Sequence, residues 1–390
     1  MLCSPPLPVP GPGRAPCIAG GIPGDLPRND MKYSFSGLAE EERFAWFRSG
    51  LQEVLDDNDH TFVRDPDDAS LVINFVDRGQ PKPFRRKAQA VFVVTVTEVD
   101  PPFGGPMEKG YPLLVRSLSN LLAGLVDEGE SLPASHFVTP EQGHYVVEGN
   151  ENKSHYFQSV YERIHPLASC RLVVNNVYDT DLPEELWDGD EISESIKEAG
   201  RKLGELNLLP TPFPMDKYLD QRDQRHLKLL YGIGGLSYGN LSARLDEDRF
   251  WMSASGVDKS NLQEVGRDIL LVKDYSREDN AMILSVPPDV EPRRVSVDAI
   301  EHWMIYREHP EVGAILHVHA WMDGVPSTEI NYPCGTYELG LAVADIVREA
   351  PMPAKAVVGL KNHGLTIVGK SMEDIFDRVE GKLYQPVPMS

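Results

Sequence analysis

An α+β fold in two domains is what this sequence predicts, and three observations predict it. The chain has 390 residues, more than one hydrophobic core usually organises. Short β-branched runs alternate with stretches of helical spacing. The segment Leu209-Pro210-Thr211-Pro212-Phe213-Pro214 then makes a stiff connector between a half without motifs and a half rich in them.

Composition excludes some function classes at once. Net charge is −22 and the pI is near 4.9, whereas nucleic-acid binders need a basic face. The small cluster Phe84-Arg85-Arg86-Lys87 reads as a solvated loop. An anionic substrate must therefore be drawn in by a local site, such as a metal or aimed backbone N–H groups. Cys3, Cys17, Cys170 and Cys334 lie far apart with no Cys-x-x-Cys pair, which fits a reducing, cytoplasmic setting better than a disulfide framework. No apolar run approaches the ~20 residues that a membrane helix needs.

Residues 1–30 are dense in Pro and Gly without a hydrophobic period, so they build no core. They read either as a disordered tail or as an upstream start before a true first residue at Met31. From Met31 the pattern is globular. Helical spacing over Glu40–Leu55 puts Phe44, Phe47, Leu51 and Leu55 on one stripe. Leu71–Val76 and Ala90–Val96 read as strands. Pro101-Pro102-Phe103-Gly104-Gly105-Pro106 breaks the chain before a helix expected around Leu113–Leu125. His136–Val138 and His144–Val147 read as a hairpin, Lys153–Ile164 as a helix, and Leu172–Val177 as the strand that closes the set. This gives an α+β domain over 31–185, and its histidines show no ligand spacing.

Residues 186–214 form the junction: a helix with Ile192, Ile196, Ala199, Leu203 and Leu206 on one stripe, then the prolines. Beyond it, Asp220–Tyr231 reads as helical, and Gly232, Gly234 and Gly235 loosen the chain before Gly239-Asn240-Leu241-Ser242. Small residues let backbone N–H groups approach an anion, although Gly-Asn is also an ordinary turn. Ser296 reads as the N-cap of a helix over Val297–Glu308, which Pro310 terminates. Asp298, Glu301 and His302 then share one face of that helix.

The centre of this half is Ala314-Ile315-Leu316-His317-Val318-His319-Ala320, read as a strand. Side chains two apart on a strand share a face, so His317 and His319 stand side by side. Each can give a nitrogen to one divalent ion, with a third ligand from elsewhere; the alternative is a pair of hydrogen-bonded core histidines. His363 lies in Leu360-Lys361-Asn362-His363-Gly364-Leu365, a turn between the strand-like runs Ala356–Leu360 and Leu365–Val368.

With these landmarks the stretch 215–384 resembles the class II aldolase/adducin family. The His-x-His strand, the Asn-His-Gly turn with a Gly and a capped helix after it, Gly239-Asn240-Leu241-Ser242-Ala243-Arg244 and Ser253-Ala254-Ser255-Gly256-Val257-Asp258 occur in the family's order. The resemblance implies a three-layer α/β/α domain around a mostly antiparallel sheet, spanning 215–390, and a C4 homotetramer with sites between subunits. It also implies a divalent metal, Zn²⁺ first and another divalent cation as the alternative, on His317, His319 and His363. Asn240, Ser255 and Gly256 fall on phosphate-binding positions, and Lys259 is near enough in sequence to add charge. The family's helix start reads Ser-Ser-Glu or similar. Here its first Ser falls on Ser296, its second on Val297, and its acid/base Glu on Asp298. Glu301 is the alternative proton carrier.

Two departures qualify the resemblance. Between His319 and the helix start at Gly335-Thr336-Tyr337-Glu338-Leu339 the family carries a longer segment, which in its aldolases includes a proton-donating Tyr. Here only Ala320–Cys334 connects them, leaving Tyr332, Asp323 and Glu329 as substitutes. After the helix that starts at Ser371-Met372-Glu373-Asp374 the chain soon ends, where family members carry a mobile tail. The function implied is a metal-dependent lyase acting on a ketose, aldehyde or sugar phosphate through an enediolate. Epimerase, dehydratase or decarboxylase chemistry on the same site is the alternative. An adducin-like scaffold is the alternative of another class, although adducin lacks the three histidines.

Overall fold

In chain order the first sheet and its helices are β1 (Lys32–Gly37), α1 (Glu42–Asp57), β2 (Thr61–Phe62), β3 (Leu71–Phe75), β4 (Phe92–Glu98), α2 (Tyr111–Arg116), β5 (Leu121–Val126), β6 (Ala134–Val138), β7 (His144–Val147) and α3 (Lys153–Ala168). The sheet order is β2-β1-β3-β4-β5-β6-β7. Strands β1 to β5 pair in parallel, and β6 and β7 add an antiparallel hairpin. Helices α1 and α3 cover one face, where Phe44, Phe47, Leu51, Phe157 and Val160 meet Ile73, Phe75, Val94 and Val96. The computed structural model describes residues 30–388 apart from 88–90, 128, 130–131, 141–142, 150–151, 210–214 and 232–236. The Pro/Gly-rich tail up to residue 29, the Pro-rich connector and the Gly232–Gly235 stretch therefore lie outside the described residues.

Two expectations for this half change. The helix expected around Leu113–Leu125 is a short α2 followed by the strand β5. All six residues of β5 are buried, because it lies inside the sheet with layers on both faces. A wholly apolar run carries no period that separates a buried strand from a buried helix. The strand expected at Leu172–Val177 is β8 (Asn175–Asp179), and it pairs with the other sheet.

The remaining elements are α4 (Glu191–Glu205), α5 (Met215–Tyr218), α6 (Gln221–Tyr231), β9 (Asn240–Arg244), β10 (Phe250–Ser253), β11 (Ile269–Ser276), β12 (Ala281–Ser285), α7 (Ala299–Glu308), β13 (Ala314–Val318), α8 (Tyr337–Glu349), β14 (Val357–Leu360), β15 (Gly364–Gly369) and α9 (Met372–Val379). Leu219 and Leu227, from the start of the expected second domain, pack on the first sheet's other face with Phe103, Tyr111, Leu114 and Leu122. Arg116 Nε also donates to Asp223 at 2.7 Å. Residues that follow the connector thus cover the first sheet, and Met31–Ser390 is one compact unit.

The second sheet runs β14-β15-β13-β9-β10-β11-β12-β8. It is antiparallel except for the β12–β8 edge. Strand alternation divides its faces. Trp251, fully buried, points to one side, where its Nε1 donates to Asp190 at the start of α4; α9 shares that side with α4. Phe250 points to the other, against Tyr306 of α7, and α8 packs beside α7. The result is the expected three-layer α/β/α arrangement around a mostly antiparallel sheet. Thr336 and Ser371 cap α8 and α9 as their sequences suggest, accepting from Leu339 N and Asp374 N.

Candidate metal centre

His317 sits on β13 in the middle of the second sheet, with Asn240 of β9 and Thr366 of β15 as its lateral partners. The three side chains therefore share the face beneath α7. Gly239, just before β9, has φ +75°, and a Cβ there would lie 2.3 Å from His317 O. Only glycine lets the two strands close at this point. Strand β13 ends at Val318, so His319 is the first residue beyond it rather than within it. It still follows the alternation, with its ring centroid 5.1 Å from that of His317.

The turn between β14 and β15 brings the third imidazole. Asn362 takes a left-handed φ of 57°, tolerated by Asn better than by most residues, and His363 N donates to Leu360 O at 2.9 Å. The His363 ring then lies 4.9 Å from His317 and 4.7 Å from His319. One nitrogen from each of the three falls within 4.8 Å of the others, and the Nε2 atoms of His319 and His363 are 3.1 Å apart. Nitrogens about 2.0–2.1 Å from one tetrahedral ion stand roughly 3.3 Å from each other.

Hydrogen bonding inside a core does not satisfy this cluster. His317 Nδ1 donates to Leu365 O at 3.0 Å, which fixes the tautomer. Its Nε2 is then an acceptor, buried and without a partner. Burial, with the neighbouring imidazoles, pushes the pKa of His319 and His363 well below the usual histidine range. Burial also lowers that of His317, against the charge of Asp298. Three neutral imidazoles with an orphaned lone pair suit a divalent cation.

Two carboxylates lie over the same face. The helix expected from Val297 begins at Ala299, and its N-cap position falls on Asp298, not Ser296. Ser296 lies before that position, its N–H donating to Ser253 O at 3.2 Å alongside the Ala254–Val295 bridge and its carbonyl accepting from Ala299 N at 3.1 Å. Asp298 makes no capping bond. Instead its Oδ2 accepts from Asn240 Nδ2 at 2.8 Å, and its Oδ1 is buried without a partner. Glu301 accepts from Thr366 Oγ1 at 2.5 Å. Burial and the Asp298 charge hold its carboxyl well above the usual carboxylate range. His302 is paired with Ser242 Oγ at 2.7 Å, and burial with His317 nearby pushes it down to about 3.

Of the expected anion-binding positions, Ser255 and Gly256 lie in the turn beside Ser296, held by Ser255 N donating to Arg294 O. Gly256 has φ +72° and open space where a side chain would stand. Asn240 is instead committed to Asp298. Lys259 is buried and donates to Ser237 O at 3.2 Å, with no carboxylate within ion-pair distance among the described residues. Burial pushes it down to about 8, against Asp298 and Asp258, and its charge reaches His317 and His319. Asp323 and Glu329 are exposed, and Asp323 accepts from Tyr384 OH. Burial, then the charges of Cys170 and Glu338, push the Tyr332 hydroxyl up. Two contacts escape sequence reasoning: Thr366 on Glu301, and Cys334, whose Sγ lies 3.5 Å from His363 Nε2. Only strand pairing brings Thr366 beside His317, and only the fold of the 320–334 loop brings Cys334 to His363.

Residues 225–322 match the family described as Class II Aldolase and Adducin N-terminal domain. The methylthioribulose-1-phosphate dehydratase of Serratia proteamaculans is 38% identical over 82 residues, 21% of this chain and 34% of the relative. The enzyme of the same name from Methylococcus capsulatus is 29% identical over 130 residues, 33% of this chain and 52% of the relative. The chain thus spans about a third to a half of the length of these relatives. Among solved structures, l-fuculose-1-phosphate aldolase from Thermus thermophilus aligns over 48% of this chain and 86% of its own, at 18% identity and a TM-score of 0.29. No helix among the described residues is long and apolar enough to cross a membrane.

Proposed function

We propose that this class II aldolase/adducin domain is a metal-dependent lyase that removes a proton beside the carbonyl of a ketose or sugar phosphate. The observation that carries it is the juxtaposition of three neutral imidazoles, one nitrogen orphaned, with a carboxylate whose Oδ1 is buried and unpartnered. A divalent cation on His317, His319 and His363, zinc first among the candidates, would act as a Lewis acid toward the substrate carbonyl.

The chain's own residues do the rest. Asn240 holds Asp298 by Oδ2, which leaves Oδ1 to take the proton. Glu301 is kept neutral by burial and by the Asp298 charge beside it, so it does not compete for the proton. Lys259 sets a positive charge beside the imidazoles of a chain whose net charge is −22, which favours an anionic substrate at this place. The Ser255-Gly256 turn and Ser296 offer polar groups to a phosphate.

Proton removal at that carbon can lead to loss of water or epimerisation; retro-aldol cleavage and decarboxylation reach an enediolate by breaking a C–C bond instead, with the base taking a hydroxyl proton in the retro-aldol case. The relatives named as dehydratases support loss of water; cleavage is the second reading. A homotetramer and a cytoplasmic setting belong to the same proposal. The test is to incubate the zinc-loaded full chain with methylthioribulose 1-phosphate and other ketose phosphates, following dehydrated product and released aldehyde by mass. Dehydrated product is expected. A metal-bearing chain that transforms none of them would point to a scaffold instead.

A further inference from the structure

The hairpin β6–β7 of the first sheet touches the loop that leads from His319 to α8. Asn331, buried in that loop, donates its backbone N–H to Tyr145 Oη at 2.8 Å and its Nδ2 to Thr139 Oγ1 at 3.0 Å. The fit is close: a Cβ on Gly143 would stand 1.9 Å from Asn331 Nδ2. Neighbouring Ile330 packs against the first sheet's core.

The same loop grips the turn that carries His363. Thr328 N donates to Gly359 O at 2.9 Å, and Gly359 N to Pro326 O at 2.8 Å. Thr328 Oγ1 accepts from Lys361 N at 3.0 Å while donating to Ile330 O. Further along, Cys334 Sγ meets His363. Lys361 Nζ lies 5.5 Å from the centre of the Tyr145 ring, which closes the circuit back to the hairpin. Contacts thus run from Tyr145 through Asn331, Ile330 and Thr328 to Lys361, two residues before the third imidazole.

We propose that Tyr145 and Asn331 are positioning residues for the metal centre: the first sheet anchors the 326–334 loop, and the loop fixes the turn that presents His363. This rests on the reading of His317, His319 and His363 as metal ligands. It gives the N-terminal half a role in the C-terminal site. The physical reason is that a third ligand on a turn has the freedom that a strand denies to His317. Outer partners that hold a ligand in place typically set metal affinity by about 10–100-fold.

The test uses the metal-free full chain titrated with Co²⁺, whose visible absorption reports coordination geometry. The double variant Tyr145→Phe/Asn331→Ala is expected to bind Co²⁺ roughly tenfold more weakly, with a shifted absorption band. Thr139→Val, which removes one of the two bonds that hold Asn331, should give a smaller change in the same direction if the double variant fails to fold. Tyr33→Phe is the control, since it removes a hydroxyl bonded to Asp56 elsewhere in the first sheet, and it should bind as wild type. Unchanged affinity and spectrum in the Tyr145 and Thr139 variants would overturn the anchor, as would an equal loss in Tyr33→Phe. If the wild-type chain binds no Co²⁺, or His363→Ala binds it equally well, the metal centre itself falls.

Discussion

Asn240 and Asp298 are 58 positions apart, yet Asn240 Nδ2 donates to Asp298 Oδ2 at 2.8 Å in a buried contact. The bond orients a carboxylate that makes no capping bond at its own helix. Its other oxygen has no partner, a costly state for a buried acceptor unless a ligand relieves it. Asn240 is therefore a positioning group for Asp298 as well as a neighbour of His317.

Asp298→Asn should keep the fold and the metal content but lower turnover by ~10²–10⁴, the usual worth of general acid–base catalysis. Asp298→Glu should be worse than Asp, because the shorter side chain is the one that Asn240 holds and a fixed geometry tolerates little displacement. Steady-state rates with the metal measured in the same preparations decide it. Full turnover in Asp298→Asn would move the role to Glu301.

His319→Ala should reduce bound metal from about one ion per chain to a small fraction, since two imidazoles rarely retain zinc. Elemental analysis after gel filtration is the measurement. Unchanged stoichiometry would remove the site.

Glu301 carries a pH signature. Its folded pKa is raised above its unfolded one by burial and by Asp298. Its stabilising contribution is therefore fully present below the unfolded pKa and lost as pH rises through the folded one. Gln cannot ionise, so the melting temperature of metal-free Glu301→Gln should gain on wild type between about pH 5 and about pH 9. A constant gap across that range would mean that Glu301 is charged throughout.

Gly239→Ala should destabilise the chain by at least ~2 kcal/mol, combining a left-handed backbone with a contact that packing cannot relax. The Cβ would meet the His317 carbonyl, so metal affinity should fall with the melting temperature. An unshifted melting temperature would show that the strands can part there.

By itself the sequence determined the parts that depend on local period and short spacing. The His317/His319 pair needs only alternation, the His363 turn only its Asn-His-Gly composition, and the starts of α8 and α9 only a Thr and a Ser at the right offset. Tertiary structure decided the rest, because the deciding contacts are long-range. β5 is a strand because layers cover both its faces, a condition absent from a run of Leu, Ala, Gly and Val. β8 left the first sheet because its edge partner, β12, lies far along the chain. Asp298 took the position expected of Ser296, where the chain is still bonded to Ser253 of the neighbouring strand before the helix begins at Ala299. Thr366 reached Glu301 only once β15 paired with β13. The contact of Asn331 with Tyr145 spans 186 positions, and no spacing in a linear sequence announces a bond between a strand of the first sheet and a loop that leaves the second.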